Sequence, residues 1–221
     1  MTRNLYESLK VDIIEKCRLL EKTGYFISTW GNISIRVPEG FIVTPSRIPY
    51  SELQPDDLVV VSPKGEVIEG HRLPSSEAEL HRAVLNKRQD VGAIIHSHSG
   101  YSTALACLNL PIPPIVEDLV QIIGGQVNCT RYVPAGQHLK LAEEAANRIG
   151  DSNAVLLANH GVICCGRDLE EAYVANQIVE KAAMIMLVAG SRGTVVSIPE
   201  DAVQSERHRY LYKYGTAQDK P

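Results

Sequence analysis

Three histidines and one glutamate are spaced in this chain as metal chemistry would require. His96 and His98 form a His-x-His pair directly after the apolar run Ala93-Ile94-Ile95. In an extended strand, side chains two residues apart leave the same face, so the two imidazoles project together. Neutral imidazole is the commonest protein metal ligand, although two hydrogen-bonded histidines at a strand end would leave the same short motif. His160 also follows an apolar run, Ala154-Val155-Leu156-Leu157, and Glu77 adds a carboxylate in Pro74-Ser75-Ser76-Glu77. Three imidazoles and one carboxylate suit Zn²⁺, with another divalent ion such as Mn²⁺ or Co²⁺ as the alternative. An ion with open positions acts as a Lewis acid on a carbonyl or hydroxyl oxygen, or generates hydroxide. Beside it, Glu77 serves as a fourth ligand, as a general base, or as each in turn.

These groups need elements to hold them. Residues 4–23 carry Leu5, Leu9, Ile13, Cys17 and Leu20 at helical spacing, with Gly24 as a stop. Gly31-Asn32 reads as a turn, followed by alternating Ile33, Ile35 and Val37 in a strand and by a second strand over 40–44. Residues 58–62 and 66–69 flank Pro63-Lys64-Gly65 as a hairpin. Ser75-Ser76 opens a helix, with Ser76 and Glu79 in the S-x-x-E pattern of a capping box. A helix start with hydroxyls and free N–H groups is also an anion site, and the two roles are compatible. The His-x-His strand leads to a helix over 99–108, which Pro111 to Pro114 end. Residues 115–123 form an apolar run broken by Glu117, Asp118 and Gln121. Strands follow at 127–133, 154–158 and 162–165, and helices at 138–148 and 169–189. The last has Asp168 as N-cap and Gly190 as stop. A polar, tyrosine-bearing tail occupies about 200–215. Strands alternate with helices, and some are joined by hairpins. The expected fold is therefore a three-layer α/β/α sandwich around a mixed, mainly antiparallel sheet.

The length of 221 residues suits one domain spanning 1–221, with the tail from about 200. A net charge of −4 gives no electrostatic case for nucleic acid or an anionic membrane. No run is read as a membrane span, and no signal-peptide pattern is read at the N-terminus. Five cysteines without C-x-x-C spacing read as reduced thiols of a cytoplasmic protein. No G-x-G-x-x-G or Walker loop points to a nucleotide cofactor.

Six motifs then occur in order: Gly31-Asn32-Ile33-Ser34, Thr44-Pro45-Ser46-x-Ile48-Pro49-Tyr50, Gly65-Glu66-x-x-Glu69-Gly70, Pro74-Ser75-Ser76-Glu77, His96-Ser97-His98-Ser99 and Leu156-Leu157-Ala158-Asn159-His160-Gly161. Together they resemble the class II aldolase/adducin family over about residues 8 to 190. The resemblance implies an α/β/α subunit in a cyclic homotetramer, with active sites at subunit interfaces. It implies zinc on His96, His98 and His160, with Glu77 as ligand and acid/base group. It also implies a phosphate pocket from Gly31, Asn32, Ser46, Ser75 and Ser76. The implied activity is a zinc-dependent sugar-phosphate aldolase. It would cleave a ketose 1-phosphate, such as L-fuculose 1-phosphate, to dihydroxyacetone phosphate and an aldehyde through a metal-stabilised enediolate.

Two departures from the family pattern matter. Arg47 stands where the family's sugar-phosphate aldolases usually have glycine, and is read as a cation for a phosphate or carboxylate. Glu117-Asp118 stands where the fuculose-phosphate aldolase carries a tyrosine that acts from a neighbouring subunit. In an apolar run a carboxyl group is a proton donor near neutrality, and Glu117 is the preferred acid. The tail resembles the family's mobile closing segment, with Tyr214 first among its tyrosines. The departures keep a dehydratase, decarboxylase or 4-epimerase of the same family as the alternative. A non-catalytic adducin-like interaction module is the alternative of another class. Hydrolysis by metal-bound hydroxide fits a phosphate cradle less well than carbonyl chelation does.

Overall fold

The computed structural model describes residues 2–215, with side chains from residue 6 onward; the end of the expected tail, 216–221, lies outside the described residues. The chain runs α1 (Thr2–Lys22), β1 (Asn32–Val37), β2 (Gly40–Val43), β3 (Val59–Val61), β4 (Val67–Glu69), α2 (Ala78–Lys87), β5 (Ala93–Ser97) and α3 (Gly100–Leu108). It continues with α4 (Glu117–Ile123), β6 (Asn128–Cys129), α5 (His138–Ile149), β7 (Ala154–Leu157), β8 (Gly161–Gly166), α6 (Leu169–Gly190) and α7 (Glu200–Tyr212). The eight strands form one sheet in the order β4-β3-β2-β1-β5-β8-β7-β6. Every pairing is antiparallel except that of β6 with β7.

Strand alternation divides the apolar residues between two helical layers. Ile33, Ile35, Ala93 and Ile95 face α1 and α6, where Ile13, Cys17, Leu20, Ala172 and Tyr173 meet them. Further along the same face, α3, α4 and α6 cover Leu156, Val162 and Cys164. Phe41, Val43, Ile94, Ile163 and Cys165 face the other way, against Leu80, Val84 and Leu85 of α2 and Ala145 and Ile149 of α5. The vicinal Cys164 and Cys165 thus pack into opposite layers, as neighbours on a buried strand must. The three-layer α/β/α fold with its mainly antiparallel sheet is the one expected.

Four local expectations change. The strand expected over 127–133 shrinks to Asn128–Cys129: Thr130 N–H still donates to Leu156 O of β7, but Ala158 N–H, the next β7-side donor, goes to the Thr130 hydroxyl rather than to a backbone carbonyl. The capping box of Ser76 and Glu79 is not made: Glu77 is the N-cap residue of α2, and Glu79 is drawn to Arg82. The tail is helical. α7 lies against α4, and Arg207 caps it by donating to the carbonyls of Gln121 and Ile122. Finally, α6 is long and apolar enough by length and composition to cross a membrane. It carries the buried polar residues Glu171, Asn176 and Glu180, and its apolar face packs on the sheet. The expected Asp168 cap is present, accepting from Glu171 N–H at 2.8 Å, while Gly190 is the last helical residue.

Candidate active site

The pairing of β5 between β1 and β8 brings the proposed ligands together from distant parts of the chain. His96 lies opposite Asn32 on one side and Ile163 on the other, fully buried. Its Nδ1 is 3.0 Å from Val162 O, and a carbonyl only accepts, so Nδ1 carries the proton and Nε2 presents a lone pair. His98 lies just past the end of β5, its backbone N–H donating to Tyr25 O. His160 sits in the turn between β7 and β8, after Asn159 at φ +57°. The ligand nitrogens of the three rings all lie within 4.8 Å of one another, and the Nε2 atoms of His96 and His98 are 3.0 Å apart.

Glu77 completes the group. Its N-cap position carries no side-chain capping bond, which leaves the carboxylate free to turn toward the histidines. Oε2 lies 3.2 Å from His96 Nε2, and Oε1 lies 3.1 Å from His160 Nε2. Asn32 Nδ2 donates to Oε2 at 2.8 Å. Burial pushes the Glu77 carboxyl up, but His96 and His160 beside it pull it the other way and hold it well below the usual carboxylate range. Burial, with His96 and His160 beside it, lowers His98 to about 3, so its ring is neutral and its free nitrogen can ligate. For His96, burial works downward, and the neighbouring Glu77 carboxylate outweighs it and raises the ring. Three convergent imidazoles and an ionised carboxylate are the donor set of a divalent-metal site, and they fit such an ion.

The serines form a second cluster beside the first. The loops at 44–47 and 73–76 run side by side: Ser75 N–H donates to Thr44 O, and Ser46 N–H to Leu73 O. Ser46 Oγ donates to Pro74 O at 3.0 Å and accepts from Ser76 N–H at 3.1 Å, and Ser75 Oγ accepts from Glu77 N–H. Gly31 is buried against Phe26, where a Cβ would come within 2.4 Å of the ring. Its carbonyl accepts from Tyr50 Oη at 2.8 Å. Arg47 is exposed next to Ser46 and holds φ +64°, a left-handed conformation that favours glycine.

Glu117 and Tyr214 are placed elsewhere in the subunit. Glu117 is exposed on the first turn of α4, without the apolar enclosure expected for it, and its neighbour Asp118 pairs with Lys181. Tyr214 follows α7, 60% exposed, its ring beside Tyr210. Among the described residues, neither joins the histidine cluster. Conversely, sequence reading assigned no role to three residues beside the histidine cluster. His81 is buried at hydrogen-bond distance from Asn32, and its spacing of four from Glu77 on one helix was the available signal. Trp30, 64% exposed, lies with its ring 5.9 Å from that of His98. Gly161 packs directly on the histidine cluster: a Cβ there would lie 2.4 Å from Ser97 O and 2.8 Å from His98 Cδ2.

Comparison with known proteins follows the same residues. Residues 11–187 match the family described as Class II Aldolase and Adducin N-terminal domain. The chain is 34% identical to a 5-deoxy-D-ribulose 1-phosphate aldolase of Bacillus thuringiensis serovar kurstaki, over 91% of this chain and 94% of that one. It is 36% identical to an L-fuculose phosphate aldolase of Haemophilus influenzae, over 86% and 87%. A solved L-fuculose 1-phosphate aldolase superposes with a TM-score of 0.88 at 33% identity, covering 93% of this chain and 97% of that one.

Proposed function

This chain belongs to the class II aldolase and adducin family, and we propose that it is a zinc-dependent aldolase that cleaves a ketose 1-phosphate to dihydroxyacetone phosphate and an aldehyde. The observation that carries the reading is Glu77, held between His96 and His160 by Asn32 and following directly on the serine cluster. His96, His98 and His160, with Glu77, would hold the ion. The ion would supply Lewis acidity toward the substrate ketone.

The chain's own residues would do the rest. Ser46, Ser75 and Ser76, with the backbone around Gly31 and Asn32, would bind the phosphate and fix the ketose along the site. Arg47 beside them would add a cation. In cleavage, a base takes the proton from the hydroxyl on the carbon that becomes the aldehyde. The carbon–carbon bond breaks, its electrons form the enediolate of the phosphate fragment, and Glu77, having taken up a proton from solvent as the substrate binds, delivers it to that carbon while the base releases the hydroxyl proton to solvent. Glu117 is our proposed partner for the hydroxyl proton, offered from the exposed start of α4 to a neighbouring subunit, with Tyr214 of the tail closing over the same site. The reading therefore includes a cyclic homotetramer with sites at its interfaces. It also includes a cytoplasmic location, to which four buried free cysteines and an exposed Cys107 are suited.

The test is incubation of zinc-loaded protein with 5-deoxyribulose 1-phosphate, ribulose 1-phosphate and L-fuculose 1-phosphate, coupling released dihydroxyacetone phosphate to NADH oxidation. A metal-dependent signal supports the aldolase. Bound metal with no signal favours a dehydratase, decarboxylase or 4-epimerase of the same family, the second reading. Arg47 and the Glu117 carboxylate favour that alternative over other chemistries. Failure to bind metal would return the chain to a non-catalytic adducin-like module.

A further inference from the structure

Behind the ligands, a line of side chains runs from the sheet to Glu77. Ser34 points from β1 toward α2, and its Oγ lies 2.6 Å from His81 Nδ1. His81 Nε2 lies 2.5 Å from Asn32 Oδ1, and Asn32 Nδ2 reaches Glu77 Oε2. Ser34 and His81 are fully buried, and Asn32 is nearly so. The geometry is that of two periodic elements meeting. Asn32 and Ser34 are two apart on a strand, Glu77 and His81 are four apart on a helix, and each pair therefore shares a face.

The direction of this line follows by elimination. An ionised carboxylate only accepts, so Asn32 turns its NH₂ toward Glu77. Its Oδ1 then faces His81 and requires a proton on Nε2. His81 is fully buried with no carboxylate oxygen against its ring, an environment that favours the neutral form, so the proton on Nε2 leaves Nδ1 bare and the Ser34 hydroxyl donates to it. Reversing the Asn32 amide would set Oδ1 against the carboxylate and NH₂ against a ring N–H, two repulsive contacts at once.

We infer that His81 is a positioning residue: together with Ser34 it fixes which end of the Asn32 amide meets Glu77, and so holds the carboxylate between His96 and His160. The inference rests on reading Glu77 as the ligand and acid/base group. Without His81, Asn32 Oδ1 loses its donor, the amide is held from the Glu77 side alone, and Glu77 loses a donor of fixed orientation. Groups that orient a metal site from behind its ligands are worth about 10- to 100-fold in affinity or activity.

Two measurements test it. Long-range ¹H–¹⁵N correlation spectra of the wild-type protein, with and without zinc, read the His81 tautomer in the absence of any substrate. A neutral ring protonated on Nε2 is expected, and an Nδ1–H tautomer or an imidazolium at neutral pH would overturn the inference. Steady-state kinetics then compare His81→Leu with His81→Gln, each also in an Asn32→Ala background. His81→Leu should lower kcat about 10-fold or more with KM little changed. Gln, which places an N–H where Nε2 stood, should recover most of that loss. In the Asn32→Ala background the His81→Leu loss should vanish, because the residue it acts through is gone. Equal losses in both backgrounds, or Gln as poor as Leu, would overturn the inference by reducing His81 to a packing role. If His81→Leu does not fold, Ser34→Ala makes the same comparison with a smaller loss, and a loss undiminished in Asn32→Ala counts against the inference. A wild-type enzyme that turns over no sugar phosphate would refute the aldolase reading, while the tautomer still decides the role of His81.

Discussion

Replacing Gly161 by alanine should cost the protein its metal before it costs the fold. Gly161 opens β8 at the point where that strand passes the end of β5, and an added Cβ would sit 2.4 Å from Ser97 O, 2.8 Å from His98 Cδ2 and 3.3 Å from His96 Cε1. Carbon–oxygen contacts settle at about 3.3–3.6 Å, so the two strand ends must part by roughly 1 Å. That displacement acts on both histidines: Val162 O, one residue on, anchors His96 Nδ1, and the His98 ring is struck directly. A metal site tolerates errors of about 0.2 Å in its ligand distances, several times less than the required shift. Overpacking of this kind costs about 1–3 kcal/mol. At about 2–4 °C per kcal/mol for a chain of this size, the metal-free protein should melt about 2–12 °C lower and still fold. Metal affinity should fall at least 10- to 100-fold, the range for loss of support behind a ligand. The chain's single tryptophan, Trp30, has its ring 5.9 Å from that of His98, so quenching of its fluorescence by Co²⁺ reports occupancy without reference to activity. Wild-type Co²⁺ affinity in Gly161→Ala would refute the reasoning, because it would mean the histidines are not held by the close approach of β8.

Arg47→Gly should leave stability unchanged or slightly raised. It releases about 1–2 kcal/mol of left-handed strain against about 0.5–1 kcal/mol of added glycine freedom. It should also raise KM for a phosphorylated substrate; a marked drop in Tm, or an unchanged KM, would return Arg47 to an ordinary exposed arginine. Glu117→Gln should slow turnover and leave metal content intact, and full activity would remove Glu117 from the mechanism. In metal-free protein, His81 is lowered from 6.5 to about 3, so between those values the unfolded chain binds more protons than the folded one. The stability this group contributes is therefore complete above about 6.5 and is lost toward pH 3, at about 1.4 kcal/mol per pH unit. His98 acts in the same direction and His96, raised by Glu77, in the opposite one. Urea unfolding of wild type against His81→Gln isolates the His81 contribution as a difference in slope, and parallel curves would show that the folded ring is not kept neutral.

What could be read beforehand divides along physical lines. The three histidines of the cluster were legible because histidine is scarce in this chain and they follow the apolar runs at 93–95 and 154–157. Position at a strand end or turn, which pairing converts into convergence, was readable from composition and periodicity. The serines were legible as a helix start but not as a loop contact. Ser76 and Glu79 match a capping box locally, yet Ser46 takes the Ser76 N–H from a distant loop and Arg82, one turn on, holds the Glu79 carboxylate. His81 was hidden for a related reason. In a helix scored by its apolar face, a histidine among Leu80, Val84 and Leu85 passes as core, and only the β1–α2 contact reveals its polar partners. α7 gives almost no amphipathic signal, because a few contacts anchor it, chiefly Val203 and Arg207 against α4, rather than a continuous stripe.

The spacing of the shared motifs makes physical sense once their hydrogen bonds are followed. His98 N–H holds Tyr25 O, at the start of the loop that leads to Gly31. Tyr50, buried against Phe26 with ring centroids 5.1 Å apart, holds the carbonyl of Gly31 at the end of that loop. Asn32, the next residue, holds Glu77, and Glu77 follows the serines that Ser46 holds. The loop over 25–31 is thus clamped at one end by His98 and at the other by the segment that begins with the serine loop. A side chain at Gly31 would strike Phe26, and its φ of +133° already disfavours any other residue. Displacing Gly31 would therefore move Asn32 relative to both the histidines and the serines. The Gly31-Asn32 step sets the distance between the histidine cluster and the serine loop, which on the proposed reading is the dimension a ketose 1-phosphate would have to match.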